Sequence, residues 1–480
     1  MKITRQMFGV YFGLFLFLAV LLMPTPSGMN ETAQVVAAIA FLMATWWVFE
    51  ALPFAITALI PFCLFPLFGV MDIAQLTPAY ANQIIFLFLS GFLFALCIER
   101  WNLHKRIALY TIKLFGFSDS KILFGFMIST AFLSMWVSNT ATTLMMIPIA
   151  IAVSNLLEPY DKEENNFTLS LLLGIAYAAS IGGVATLIGT PPNAILAGMI
   201  EQQTGFSIGF FDWMMFALPL ATIFLLITWL YLRYLMKKVA SVSEFSDKEK
   251  QVSGENVIRQ EIGNLGALSR EEKLVSGIFL TVCFFWITRG LVDFEIFKNI
   301  KDSTIGMLGA ILLFIIPAKE SSQRLMDWQT AKKLPWGILI LFGGGFALAS
   351  GFEHTELTQW LALKFSFLQG VNVILIIFVI VLFVIFLTEI TSNTATATLL
   401  IPIMIALSQS LGVSSLALAT AVAIATSYAF MLPVATPPNA IVFSSERVPI
   451  QKMARTGFWL NIIGSFLITL AVTLLLPRLF

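Results

Sequence analysis

Apolar residues fill this chain in long unbroken runs, and polar residues collect in short clusters between them. An α-helix needs ~20 apolar residues to cross a ~30 Å hydrocarbon core, so the pattern predicts membrane-spanning helices from end to end. Spans are expected at about 6–24, 31–49, 51–70, 82–99, 167–199, 208–236, 271–292, 302–318, 334–352, 413–445 and 454–477, eleven crossings in all. Two more apolar segments, about 118–157 and 371–411, are interrupted by polar residues and read as hairpins that enter and leave on one face. The polar stretch 239–270 is the one long loop, a linker between two halves. The expected fold is an all-α polytopic membrane protein.

Composition agrees. Of 480 residues 58% are hydrophobic and 11% charged, against about a quarter charged in a soluble domain. The net charge of +1 says nothing about partners, and no nucleic acid is expected among them. Cys63, Cys97 and Cys283 lie in or beside apolar runs as small hydrophobes, and neither His104 nor His354 has a second ligand nearby in sequence. No nucleophile–base pair or acidic cluster lies inside the spans, so no enzyme is expected. The first run, Gln6 to Met23, is long for a signal peptide, and "MPTPSGMN" offers no A-x-A cleavage site; it reads as a first span.

Basic residues orient the chain. Lys2, Arg5, Arg100, Lys105, Arg106, Lys113, Lys237, Lys238, Lys248, Lys250, Arg259, Arg270, Lys273, Lys319, Arg324, Lys332, Lys333, Arg447, Lys452 and Arg455 fall on one side if the two hairpins do not cross. The positive-inside rule then puts the N-terminus and the linker in the cytoplasm and the C-terminus outside, in a cell (inner) membrane. Arg289, Lys298 and Lys301 are the exceptions.

The chain repeats itself. "SNTATTLMMIPI" from Ser138 returns as "SNTATATLLIPI" from Ser392, 254 residues later. The same offset pairs Gly91 with Gly345, Phe92 with Phe346, Glu99 with Glu353, Leu103 with Leu357 and Gly116 with Gly370. "GTPPNAI" from Gly189 is answered by "ATPPNAI" from Ala435. After an N-terminal span (1–30), the repeats are expected at 31–238 and 271–480. Each has five crossings, a hairpin (118–157 or 371–411) and a broken helix (167–199 or 413–445). An odd number of crossings inverts the second copy, an architecture recurrent in secondary transporters with midplane binding sites.

The hairpin limb after Thr143 has about 15 residues, ~22 Å of helix, too short to cross. At such a tip, Ser, Asn and Thr cap helix ends. They also suit an anion with two separated negative groups, because two helix N-termini each offer about half a positive charge. Both readings stay open. Pro191–Pro192 and Pro437–Pro438, which have no N–H to donate, are expected to break their helices at similar depth. No Lys or Arg occurs between Ile122 and Leu157 or between Val371 and Glu446, so a bound dianion needs small cations to offset it. Ser134 and Thr388, one turn before each motif, could help hold Na⁺ or simply bond their own helix. Glu389 is the only acidic residue in the second hairpin and could assist that cation site or carry a proton.

Paired SNT hairpins with paired TPPN segments resemble the divalent anion/sodium symporter family, over nearly the full chain. The resemblance implies a homodimer of eleven-span protomers working by an elevator mechanism, with a scaffold domain and a moving transport domain. It implies Na⁺-coupled symport of C4-dicarboxylates such as succinate, malate or fumarate. Some members carry citrate or sulfate, and some exchange anions without Na⁺; H⁺ coupling through Glu389 is a further alternative. Carried over, Ser138, Asn139, Thr140, Ser392, Asn393 and Thr394 would bind substrate carboxylates, with Pro437 nearby. Ser134, Ser138, Asn139 and Gly189 would form one Na⁺ site, and Thr388, Thr391, Asn393 and Ala435 a second. A channel is the competing class; paired tips that close on each other favour an occluded site over a pore.

Overall fold

A computed structural model describes residues 4–157, 166–237, 247–291, 300–319 and 323–480. Residues 239–246 of the linker, and Lys2, Lys238 and Lys298, lie outside these. The described residues are helical apart from turns and one isolated bridge between Pro317 and Arg324.

Each of the eleven expected segments holds helix. Eight helices among the described residues are long and apolar enough to cross a bilayer, or nine if the bent pair Leu357–Leu368 and Val373–Thr388 counts as one. Phe54–Leu67, Asp302–Ile315 and Ser415–Ala425 are shorter than the spans expected there. Local chemistry explains two of them. The first is split into Phe54–Thr57 and Ile60–Leu67, with Pro61 opening the second piece. The second stops where Ile316 turns extended before Pro317. The linker also differs from a plain loop: Asp247–Leu265 is a helix, lying against Leu103–Phe115 and Asn139–Leu157. Its Glu, Lys, Gln and Arg residues are good helix formers, and Val257, Ile258, Ile262 and Leu265 give it an apolar face against the core.

The duplication is written into the backbone. The hairpin limbs Asp119–Ser134 and Val373–Thr388 each have 16 residues, and Asn139–Leu157 and Asn393–Leu411 each have 19. All four boundaries match at the 254-residue offset. Asn102 and Glu356, equivalent at that offset, are both left-handed (φ 56° and 58°), and so are Gly116 and Gly370 (φ 96° and 88°).

The halves interlock around the hairpins. Asp119–Ser134 packs along Asn166–Val184, where Gly182 has no side chain to collide with the Ala131 carbonyl. Val373–Thr388 packs against Ser415–Ala425 and Ile450–Leu474. Small residues at such contacts let membrane helices approach to backbone distance. The limb Asn139–Leu157 meets Pro437–Phe443 of the other half, and Asn393–Leu411 meets Pro191–Thr204. Each hairpin therefore leans on the other repeat's broken helix.

Candidate functional site

Both hairpins turn between a helix ending at a hydroxyl residue, Ser134 or Thr388, and one starting at an asparagine, Asn139 or Asn393. Ser138 and Ser392 cap the second limbs, their Oγ atoms accepting from Ala141 N (3.3 Å) and Ala395 N (3.5 Å). The capping reading thus holds for the serines. It does not account for the asparagines. Ser134 Oγ donates across the turn to Asn139 Oδ1, and Thr388 Oγ1 to Asn393 Oδ1 at 2.7 Å. Both hydroxyl residues are fully buried. They are spent on the motif rather than on their own helix backbone.

The broken helices come to the same place. Asn166–Val184 stops, six residues intervene, and Pro191–Thr204 begins; Ser415–Ala425 stops and Pro437–Phe443 begins after residues 426–436. The proline pairs do not break a helix by withholding an N–H, as the sequence suggested. They occupy the first two positions of the second segment, where a missing N–H costs nothing. Each break is braced by the asparagine of TPPN, a role the sequence reading did not assign. Asn193 Nδ2 donates to the carbonyls of Val184 (3.0 Å) and Thr186 (2.8 Å), and Asn439 Nδ2 to those of Ala429 and Leu432 (both 3.1 Å). Thr190 Oγ1 lies 3.5 Å from Ser427 Oγ, so the two breaks touch across the repeats.

In the first repeat the oxygens converge over Gly183, also unassigned from sequence. A Cβ there would sit 2.7 Å from Asn139 Oδ1 and 3.1 Å from the Gly189 carbonyl. Ser134, Asn139 and Gly189 are thus together, with Ser138 at the exposed rim. In the second repeat Thr388 Oγ1 lies 3.2 Å from the Thr426 carbonyl, so Thr388, Asn393 and Thr426 form the matching group. The remaining two expected members are Thr391 and Ala435. The Thr391 hydroxyl bonds the Leu387 carbonyl (2.9 Å) and Thr396 Oγ1 (2.8 Å), and buried Ala435 donates its N–H to Leu432 O (3.2 Å). Thr140, Asn139, Asn393 and Thr394 are half-buried, and Pro437 is exposed. Neutral hydroxyl, carboxamide and carbonyl oxygens are the donors a hard monovalent cation takes.

Glu389 is buried and lies beside Thr388. Its carboxylate accepts from Phe430 N (2.8 Å), Met431 N (2.9 Å), Leu432 N (2.9 Å) and Asn461 Nδ2 (2.7 Å).

Comparison with known proteins places this geometry. The family described as sodium:sulfate symporter transmembrane region matches residues 5–479. The sodium-dependent dicarboxylate transporter SdcS of Staphylococcus aureus strain MRSA252 is 46% identical over 486 residues, covering 99% of this chain and 92% of that protein. SdcS of strain USA300 is 46% identical over 484 residues, covering 98% and 91%. Two solved structures share the fold at low identity. MtrF of Neisseria gonorrhoeae, described among antimetabolite efflux pumps, has a TM-score of 0.56 at 13% identity, covering 98% of this chain and 95% of that one. The YdaH transporter of Alcanivorax borkumensis has 0.58 at 14%, covering 92% and 98%. With a family match that runs almost from one end of the chain to the other, this multi-pass membrane protein belongs to the sodium:sulfate symporter transmembrane family.

Proposed function

We propose that this protein is a secondary active transporter that carries C4-dicarboxylates such as succinate, malate and fumarate together with Na⁺ across the cell (inner) membrane. The observation that carries the reading is the duplicated hydroxyl–carboxamide pair, Ser134–Asn139 and Thr388–Asn393, set at helix breaks in both repeats. Relatives named sodium-dependent dicarboxylate transporters, 46% identical over nearly the whole chain, support the choice of substrate and ion.

In this reading Na⁺ sits at two or more sites, one at Ser134, Ser138, Asn139 and Gly189, another at Thr388, Thr391, Asn393 and Ala435. With the Thr391 hydroxyl engaged inside its hairpin, that residue's part falls to its carbonyl. The Oδ1 of each asparagine faces the cation. Its Nδ2, which has no hydrogen-bond partner among the described residues, turns to a substrate carboxylate, helped by Ser138, Thr140, Ser392 and Thr394. Shared asparagines couple the ligands, so each tightens the other by the same factor. The hairpins and broken helices move as a transport domain against a scaffold in a homodimer, with the N-terminus cytoplasmic and the C-terminus external.

The experiment is uptake of labelled succinate into proteoliposomes with and without Na⁺, competed by malate, fumarate, citrate and sulfate. Saturable uptake that needs Na⁺ and is competed best by malate and fumarate is expected. Uptake without Na⁺ that needs only an internal dicarboxylate would make the protein an exchanger. Uptake driven by a pH gradient alone would make it H⁺-coupled.

A further inference from the structure

The two broken helices are not equally broken. The first is interrupted over residues 185–190, the second over 426–436. In the register that aligns Gly189 with Ala435, the helix ending at Ala425 stops five residues earlier than the one ending at Val184. The hairpins also differ beside their turns. Glu389 stands in the second where Met135 stands in the first.

These two differences are connected by hydrogen bonds. Were Ser415–Ala425 to continue as an α-helix, the N–H groups of Phe430, Met431 and Leu432 would bond the carbonyls of residues 426, 427 and 428. Instead all three donate to the Glu389 carboxylate at 2.8–2.9 Å. The carbonyls are thereby released from the helix, and that of Thr426 lies 3.2 Å from Thr388 Oγ1. Asn461 Nδ2 completes the shell at 2.7 Å. From the other side Asn439 holds the carbonyls of Ala429 and Leu432. Gly457 makes room, since a side chain there would overlap the Phe430 carbonyl. Among the described residues of the first repeat no carboxylate offers this exchange; Thr186 Oγ1 donates to the Met135 carbonyl at 2.6 Å and the helix runs on to Val184.

We propose that Glu389 is a positioning residue for the second cation site. By taking the N–H groups of Phe430, Met431 and Leu432 it keeps the carbonyls of residues 426–428 out of the helix and available to Na⁺ beside Thr388 and Asn393. It is neither a ligand nor a proton carrier. Its contacts are N–H donors, which suit an acceptor and leave no partner for an O–H. A carboxylate is needed because one neutral carbonyl oxygen cannot receive four donors. This inference rests on the Na⁺-coupled reading above.

The test is the Na⁺ dependence of succinate uptake in proteoliposomes for the unaltered protein, Glu389→Gln, Glu389→Asp and Asn461→Ala. Glu389→Gln puts an NH₂ against the backbone donors, and the Na⁺ needed for half-maximal uptake is expected to rise about tenfold or more. The succinate KM at saturating Na⁺ should stay within about threefold, because the substrate face of Asn393 is untouched. Glu389→Asp, one methylene short but still a carboxylate, should recover part of the loss. Asn461→Ala removes one of four donors, and an increase of about threefold is expected. An unchanged Na⁺ requirement in Glu389→Gln would overturn the proposal; should that variant not fold, an unchanged requirement in both Glu389→Asp and Asn461→Ala would do so. Equal loss in Na⁺ and succinate affinity, with Asp no better than Gln, would reduce Glu389 to a general structural role. Na⁺-free, pH-driven uptake that Glu389→Gln abolishes would make it a proton carrier. Absence of Na⁺ stimulation in the unaltered protein would sink the symport reading and this inference with it, whereas a variant-specific null sinks only the latter.

Discussion

A carboxamide has an accepting end and a donating end, and among the described residues Asn139 and Asn393 use only the first. A half-buried donor aimed at a carboxylate contributes about 1.5–3 kcal/mol. Asn139→Ala and Asn393→Ala should each raise the succinate concentration for half-maximal uptake about ten- to hundredfold, read from saturation curves at high Na⁺. The hydroxyls behind them give a cleaner contrast. Thr388→Ser keeps the Oγ and should keep near-normal Na⁺ dependence. Thr388→Val keeps the shape and loses the oxygen, so its Na⁺ requirement should rise about tenfold. At Gly183 the effect is steric. A methyl there would lie within 2.7–3.1 Å of Asn139 Oδ1 and the Gly189 carbonyl, and Gly183→Ala should abolish Na⁺-stimulated uptake while the purified protein remains monodisperse.

Among the elements, the helices Leu103–Phe115 and Asp247–Leu265 do more than connect. Leu103–Phe115 is fastened to the linker region through Arg106, whose Nε lies 2.6 Å from Glu272 Oε1. The same guanidinium donates to the carbonyls of Leu265, Gly266 and Ala267 at 3.0–3.3 Å. Lys105 pairs with Glu261 at 2.7 Å alongside. A buried pair of this kind is costly to break from one side, because the remaining carboxylate loses its countercharge, though it keeps the Ser269 N–H at 2.7 Å. Arg106→Ala should destabilise the protein by about 3–5 kcal/mol, whereas replacing both partners, as in Arg106→Met with Glu272→Leu, should recover part of it, the carbonyls of Leu265, Gly266 and Ala267 and the Ser269 N–H still losing their partners. Thermal unfolding of the detergent-solubilised protein checks this; equal loss in the single and double variants would count against it.

Across the whole molecule, one polar tie between a broken helix and another span is well defined. Gln83 Nε2 donates to both Glu201 oxygens, at 2.5 and 2.6 Å, linking Gln83–Arg100 to Pro191–Thr204. Lys301 Nζ stands 3.9 Å from the same carboxylate. The elevator movement proposed above would part this contact if Pro191–Thr204 moves and Gln83–Arg100 stays. With Cys63, Cys97 and Cys283 replaced, a cysteine pair at positions 83 and 201 should be joined by a short bifunctional thiol reagent, and the joined protein should stop transporting until the link is cleaved. Unimpaired uptake with the link in place would exclude sliding of these helices past each other. For orientation, a single cysteine at 24–30 should react from outside and one at 255–265 only after the membrane is opened.

Much of this was legible along the chain. Apolar run lengths announce the membrane class because no other solvent tolerates them, and self-similarity at a constant offset announces the duplication before any contact is known. Ser-Asn-Thr and Thr-Pro-Pro-Asn are polar or helix-starting residues inside apolar runs, so they mark the breaks wherever they sit in space. The hydroxyls at 134 and 388 were legible too, being one turn from their asparagines within a single hairpin. The part that stayed hidden depends on partners far apart in sequence. Glu389 meets backbone donors 41–43 residues on and Asn461 72 residues on. Whether a helix stops at Ala425 or five residues later turns on who takes three N–H groups, and periodicity carries no record of that. Gly183 reads locally as one more small residue in a helix, and Thr391 as a hydroxyl next to the motif. Only when the hairpin is laid against the broken helix does the first become the floor beneath two oxygens and the second turn inward to Thr396. Hydrogen-bond satisfaction in a medium without water is settled by the whole fold, since every buried donor must find its acceptor wherever the chain brings one.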